Sequence, residues 1–235
     1  MNDLFYKFPS TPHLTVLGNN SIRDDKVLTE NERREYLRHE IVIEEKVDGA
    51  NLGISFNVSG DLRIQSRGEY LQPPYSGQWK KISEWLTPKI ELLRDGIKDR
   101  YLLFGEWCYA QHSIFYSRLP DWFLGFDIFD KQSKKFLSCS RRDERFRKLG
   151  ILGVPLLNQG RFSFDEVLNF LSVSRLGGRP AEGIYLRMDE KGWICGRAKL
   201  VRPEFIQSIE GHWSRKSIKT NRCNNRKKKA SVSAD

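Results

Sequence analysis

With 235 residues, 39% of them hydrophobic and 12% aromatic, the chain can bury a substantial core, and six tryptophans with fourteen phenylalanines exclude a disordered polypeptide. No window approaches the roughly 18 uncharged apolar residues of a membrane span, and the start, MNDLFYKFPSTPHL, lacks the basic-then-apolar layout of a secretory leader. The net charge of +10 is uneven: residues 214–235 hold eight Lys or Arg against one acid, so the body is close to balanced.

Residues 40–66 read as a β meander. Two strand-like runs flank Asp48-Gly49, and a second tight turn falls at Ser59-Gly60-Asp61. Residues 77–94 carry Trp79, Ile82, Trp85, Leu86, Ile90 and Leu93 three or four apart, which predicts a helix that Pro88 kinks or divides. Strands are expected at about 101–108 and 122–130, followed by a basic helix, SRRDERFRKLG, closed by Gly150. Ser163 with Glu166 matches a helix N-terminal capping box. Strands at 182–188 and 193–201 are joined by DEKG, and a last helix is expected over 203–213. Strands with inserted helices and no regular βαβ alternation predict an α+β fold with antiparallel sheets flanked by helices. The four cysteines form no C-x-x-C pair, which disfavours a zinc site or disulfide framework and fits a reducing, cytoplasmic setting. The basic end favours polyanions, and it equally fits a solvated, flexible tail.

Four stretches carry candidate chemistry. Lys46 ends a strand just before Asp48-Gly49, on one face with Val42 and Glu44. A lysine so held is a nucleophile where burial or neighbouring cations favour its neutral amine; otherwise it is a strand-end lysine beside a hairpin turn. Glu106 interrupts the apolar strand YLLFGEWC, so it must be ion-paired or bind something. Phe126 and Phe129 flank Asp127, where an aromatic ring either stacks on a purine or belongs to the core. In AEGIYLR, Glu182 shares a strand face with Ile184 and Leu186, and a Glu at a strand start reaches a Mg²⁺ or a ribose hydroxyl. Arg197 and Lys199 fall on one face of the last strand, which suits a phosphate between them or an exposed basic edge.

In this order, the segments resemble those of the covalent nucleotidyltransferases, the superfamily of ATP-dependent ligases and capping enzymes. EKVDGAN resembles the first motif, QSRGEY the arginine-bearing motif, FGEWC the third, FLGFDIFD the aromatic segment after it, AEGIYLR the fourth and RAKLVRPEF the fifth. The likeness is greatest to the RNA ligase family, in its second branch; FPSTPHL and RPEFIQSIEGHW also resemble segments of bacterial and phage members.

The resemblance implies an ATP-grasp-like ligase adenylation domain over residues 1–213, with residues 214–235 a basic, flexible tail. It implies that Lys46 attacks ATP to form lysyl-AMP, that AMP passes to a 5′-phosphate, and that a 3′-hydroxyl then seals the RNA strand. In that scheme the backbone at Glu45 reads the adenine and Phe126 stacks on it. Asn51, Arg67 and Glu106 hold ribose and phosphates, Glu182 supports a catalytic Mg²⁺ (or Mn²⁺), and Arg197 and Lys199 grip the nucleotide phosphates. Arg197 stands where the family pattern has lysine, and an arginine fork is not a point donor. About 30 residues follow Phe205, too few for an oligonucleotide-binding barrel or a helical C-terminal domain. A bare nucleotidyltransferase domain with weak, salt-sensitive hold on nucleic acid is therefore expected. A partner that processes RNA ends is left open. A DNA nick-sealing ligase, a guanylyltransferase and an inactive nucleic-acid-binding relative are the alternatives.

Overall fold

The computed structural model describes residues 5–18, 26–171, 174–177, 180–208 and 218–224. Two antiparallel sheets border a common cleft. The first has the order β11-β10-β1-β9, from β1 (Ile41–Lys46), β9 (Leu156–Gly160), β10 (Gly183–Glu190) and β11 (Trp193–Val201). The second has the order β4-β3-β2-β5-β6-β7, from β2 (Ala50–Phe56), β3 (Leu62–Gln65), β4 (Tyr70–Leu71), β5 (Tyr101–Trp107), β6 (Phe123–Asp130) and β7 (Lys135–Phe136). A short β8 (Leu152–Gly153) runs parallel to β6.

The helices cover the sheet faces turned away from the cleft. On the first sheet, Ile41, Ile43, Ile184, Leu186, Ala198 and Leu200 pack with Tyr36 of α1 (Glu30–Leu37) and Val167 of α5 (Phe164–Leu168). Both helices start with the reciprocal Ser/Thr–Glu cap, Thr29 with Glu32 and Ser163 with Glu166, which satisfies amides that the first helical turn leaves free. On the second sheet, Leu52, Ile54 and Leu103 pack with Ile82 and Trp85 of α2 (Ile82–Leu86) and with Leu93 and Ile97 of α3 (Ile90–Ile97). Each such aliphatic side chain contributes roughly 1.5–3 kcal/mol by leaving water. α4 (Cys139–Leu149) is capped by Ser138 and ends at Gly150 in the left-handed region (φ 62°), as its sequence predicts. α6 (Pro203–Ser208) follows β11 directly; the remainder of the helix expected to 213 lies outside the described residues.

Three expectations are corrected. The meander over 40–66 does not form, because β1 and β2 lie in different sheets and only β2 and β3 make a hairpin. Asp48-Gly49 is therefore a crossing between sheets. Its carboxylate accepts from the amides of Ser113 and Ile114 at 2.7 and 2.9 Å, which holds the turn where no strand pairing does. Gly49 keeps that crossing close, since a Cβ would sit 3.0 Å from the Trp107 carbonyl oxygen and push the backbone back by a few tenths of an ångström. Second, the helix over 77–94 is divided at Pro88, one of the two outcomes expected there, and is corrected only at its start: Gly77–Trp79 is a separate 3-10 turn, followed by α2, a 3-10 turn at Thr87–Lys89 and α3. Pro88 lies in that second turn, where its missing N–H costs no α-helical bond. Third, residues 218–224 are not a free tail: Gln111, Leu119, Asn221, Arg222 and Asn224 all make backbone hydrogen bonds that tie the segment to residues 109–119. Residues 225–235 lie outside the described residues.

Candidate active site

The cleft between the sheets encloses about 840 Å³. Phe8, Pro9 and Thr11 of the N-terminal segment close one side, and Lys46, Asn51, Arg67, Glu106, Glu182 and Lys199 face into it. The register explains how distant residues meet. Lys46 is paired with Gly183 across β1 and β10, and Tyr185 with Lys199 across β10 and β11. A Cβ on Gly183 would fall 2.1 Å from the Leu200 carbonyl oxygen, so only glycine lets β10 approach β11 at the site.

Lys46 Nζ lies 2.7 Å from Glu182 Oε1. Glu182 does not share a face with Ile184 and Leu186, as simple alternation had suggested. Those two are core residues, while Glu182 precedes the strand and turns into the cleft. Burial acts to lower the Lys46 pKa, but the carboxylates of Glu182, Glu106 and Asp48 outweigh it and hold the amine above its ordinary value. Burial also raises Glu182, against the pull of Lys46. The resting site is thus an ammonium held by a carboxylate. It becomes a nucleophile only when it sheds a proton.

Asn51 and Glu106 are cross-strand neighbours on β2 and β5. Asn51 Oδ1 and Glu106 Oε2 are both buried and have no hydrogen-bond partner among the described residues. Two orphaned acceptors side by side, in a cleft that also holds Glu182, fit sugar hydroxyls or a hydrated cation. Among the described residues no cluster of three His, Cys, Asp or Glu is placed to hold a metal ion alone. An ion here would rely on water and phosphate oxygens for the rest of its shell, as Mg²⁺ commonly does.

Burial pushes the Glu106 carboxyl up to about 8, with Lys46 opposing and Glu182 adding to the rise. Folded protein therefore keeps a proton that the unfolded chain sheds near pH 4.3, and stability falls as pH rises from there towards 8. Glu106→Gln removes this penalty. Its Tm should exceed that of wild type by a few degrees at pH 7.5, with the gap closing by pH 4.5 in a thermal-melt series. A constant gap across that range would show that Glu106 ionisation does not oppose folding.

Behind Lys46 runs a buried ion network with no counterpart in the sequence reading. Arg187, 1% exposed, bridges Glu44 at 2.6 Å and Asp127 at 2.7 Å. Arg142 of α4 takes the second Glu44 oxygen at 2.6 Å and donates to the Phe126 carbonyl at 2.8 Å. β1, β10, α4 and β6 are thereby fixed to one another two residues from Lys46. The pair of arginines lowers the Glu44 pKa in spite of complete burial.

Arg197 joins this network and does not line the cleft. Its Nη2 is 3.1 Å from Asp127 Oδ2 and its guanidinium lies 3.9 Å over the Phe136 ring. Its expected partnership with Lys199 at a phosphate is therefore not formed: Lys199 faces the cleft and Arg197 the interior. Glu45 lines the cleft, but its carboxylate accepts from Ser174 Oγ and from Arg175 N at 3.0 Å, and its own N–H donates to Pro155 O at 2.9 Å. Phe126 lines the cleft edge-on to Phe8, with centroids 5.1 Å apart. Asp48, Tyr116 and Asn221 were missed. A charge inside an apolar strand run was the available signal for Glu44, Asp127 and Arg187; TNRCNN offered none for Asn221.

A model of the RNA ligase family matches residues 39–201. No curated protein matches significantly. Among solved structures, Naegleria gruberi RNA ligase is similar in several forms. A lysine-to-alanine variant with ATP and Mn has a TM-score of 0.60 at 16% identity, covering 74% of this chain and 53% of that one. The same ligase with PPi has a TM-score of 0.59 at 16% identity, covering 85% and 61%. An apo variant described as R4a has a TM-score of 0.59 at 18% identity, covering 85% and 63%. This chain thus spans between a half and two thirds of the ligases it resembles in fold. Among the described residues no helix is long and apolar enough to cross a membrane.

Proposed function

We propose, from the premise that this chain belongs to the RNA ligase family, that it is an ATP-dependent RNA ligase working through lysyl-AMP at Lys46. The observation that carries the reading is the enclosed Lys46–Glu182 pair facing the orphaned acceptors of Asn51 and Glu106 in one cleft. In the first step the neutral Nζ attacks the α-phosphorus of ATP. An N–P bond forms, the P–O bond to the β-phosphate breaks, and pyrophosphate leaves with the electron pair. Glu182 Oε1, at 2.7 Å, is in reach of the proton the ammonium must shed first. AMP then passes from Lys46 to the 5′-phosphate of an RNA strand, and a 3′-hydroxyl displaces it to close the phosphodiester.

The residues divide the work by chemistry. With the Glu45 N–H committed to Pro155, adenine recognition falls to its carbonyl, while Phe126 offers a ring for stacking. Asn51 and Glu106 accept from the ribose hydroxyls, and Arg67 and Lys199 neutralise phosphates. Arg197 acts from behind, by holding Asp127. A divalent cation, which Glu182 and the phosphates would hold, supplies charge compensation as negative charge builds on the leaving group. The Naegleria ligase solved with ATP and Mn supports this choice of nucleotide and metal.

The test is α-labelled ATP with magnesium, followed by denaturation and a search for label on the chain, with labelled GTP alongside. Acid-labile label from ATP alone is expected, and sealing of nicked RNA over nicked DNA is expected next. Label from GTP alone would make the protein a guanylyltransferase. No label, together with an intact mass free of bound AMP, would overturn the reading.

A further inference from the structure

Residues 218–224 return to the body and build part of the active-site wall. Thr220 and Cys223 form β-bridges with Ala110 and Leu119. Between them Asn221, 3% exposed, uses its whole amide: Oδ1 accepts from Tyr116 N at 2.8 Å, and Nδ2 donates to Cys108 O at 2.8 Å and Ala110 O at 3.1 Å. Only Asn or Gln offers two donors and an acceptor in one plane, so the fit is specific to a side-chain amide.

The loop it holds is the one that holds the catalytic turn. Tyr116 Oη accepts from Asp48 N at 2.8 Å, and the amides of Ser113 and Ile114 donate to the Asp48 carboxylate. Val47, between Asp48 and Lys46, is buried with Cys108, Tyr116 and Leu119 in one apolar cluster. Lys46 ends β1 with no hairpin partner beyond it, so this loop fixes the exit of the strand. Ile218 and Lys219 of the same segment line the cleft.

We infer that Asn221 is a positioning residue for lysine adenylylation, acting through Tyr116 and Asp48 to hold Lys46 in place. The inference rests on the ligase reading above. It makes residues 218–224 part of the working site.

The test is a double-mutant cycle on the full chain. Asn221→Asp keeps the acceptor and turns the two donors into an acceptor facing carbonyls; Tyr116→Phe removes only the hydroxyl over Asp48. Single-turnover labelling by ATP, well below each variant's melting temperature, separates maximal rate from half-saturating ATP. Asn221→Asp should lower the maximal rate about 10–100-fold with half-saturation changed less than about threefold, as misplacement of a nucleophile does. Tyr116→Phe should lower it about tenfold, and the double variant should be little slower than Asn221→Asp alone. A purely structural asparagine would change the melting temperature and leave multiplicative rates. Multiplicative losses, or an Asn221→Asp rate within about twofold of wild type, overturn the inference. Should Asn221→Asp not fold, Asn221→Ser enters the same cycle without the added charge. Absence of label on wild type would instead overturn the ligase reading itself.

Discussion

Lys46→Ala is expected to carry no AMP after incubation with ATP and magnesium, a fall of at least about 10⁴-fold in labelling, as for loss of other enzymes' nucleophiles. No other amine takes its place. Lys199 and Lys219 also line the cleft, but Lys199 lies on β11, separated from β1 by β10, and Lys219 on the segment bonded to Gln111. The fold should persist, because Glu182 and Glu106 already have raised pKa values and take up protons when the ammonium is gone. Lys46→Arg sharpens the test. It keeps a cation against Glu182, yet a guanidinium does not deprotonate in a protein, so label should be lost with the ion pair intact. Sealing of a strand supplied already adenylylated needs no amine nucleophile and should survive in both variants. Label retained on Lys46→Arg, mapped by peptide mass to another residue, would sink the assignment.

Arg187→Ala should be the most destabilising single change in the cleft wall. It leaves Glu44, 1% exposed, with one guanidinium in place of two, and Asp127, fully buried, with only Arg197 at 3.1 Å. Breaking such a buried network typically costs about 3–5 kcal/mol, which for a domain of this size is a fall in Tm of roughly 10 °C. Arg187→Lys should recover only part of this, because one ammonium cannot bridge two carboxylates at 2.6 and 2.7 Å as a fork does. The pH dependence has a definite sign. Glu44 has a lowered folded-state pKa, so its stabilisation is complete above the unfolded value near 4.3 and is lost as pH falls below it. Wild type should therefore lose stability steeply below about pH 4, and Arg187→Ala less steeply. Equal acid slopes in urea melts would show that Glu44 does not draw its ionisation from Arg187.

The elements were legible where local rules decide them. Alternation and turn residues marked β5, β6, β10 and β11 nearly to the residue, and Ser163-x-x-Glu166 and Gly150 marked helix ends. The Asp48-Gly49 turn misled, because a tight turn between strands looks the same whether its strands pair or part. α1 was missed: its strongly charged sequence, ENERREYL, buries only Tyr36 and offers little apolar periodicity. Residues 218–224 read as tail because what anchors them is backbone hydrogen bonds and one asparagine amide bonded to main-chain atoms over 100 positions away. Main-chain partners leave no mark in composition.

By itself the sequence determined the kinds of group available and their order along the chain: an amine after a strand, a carboxylate in each of two apolar runs, a basic last strand. Local sterics and burial are enough for that. Tertiary structure decided which of them meet. Pairing of β1 with β10 put Glu182 on Lys46, pairing of β2 with β5 set Asn51 beside Glu106, and a buried aspartate on β6 drew Arg197 away from the cleft. A charge in the interior takes whichever opposite charge the sheets bring within reach, and that choice depends on strand order, which no short motif encodes.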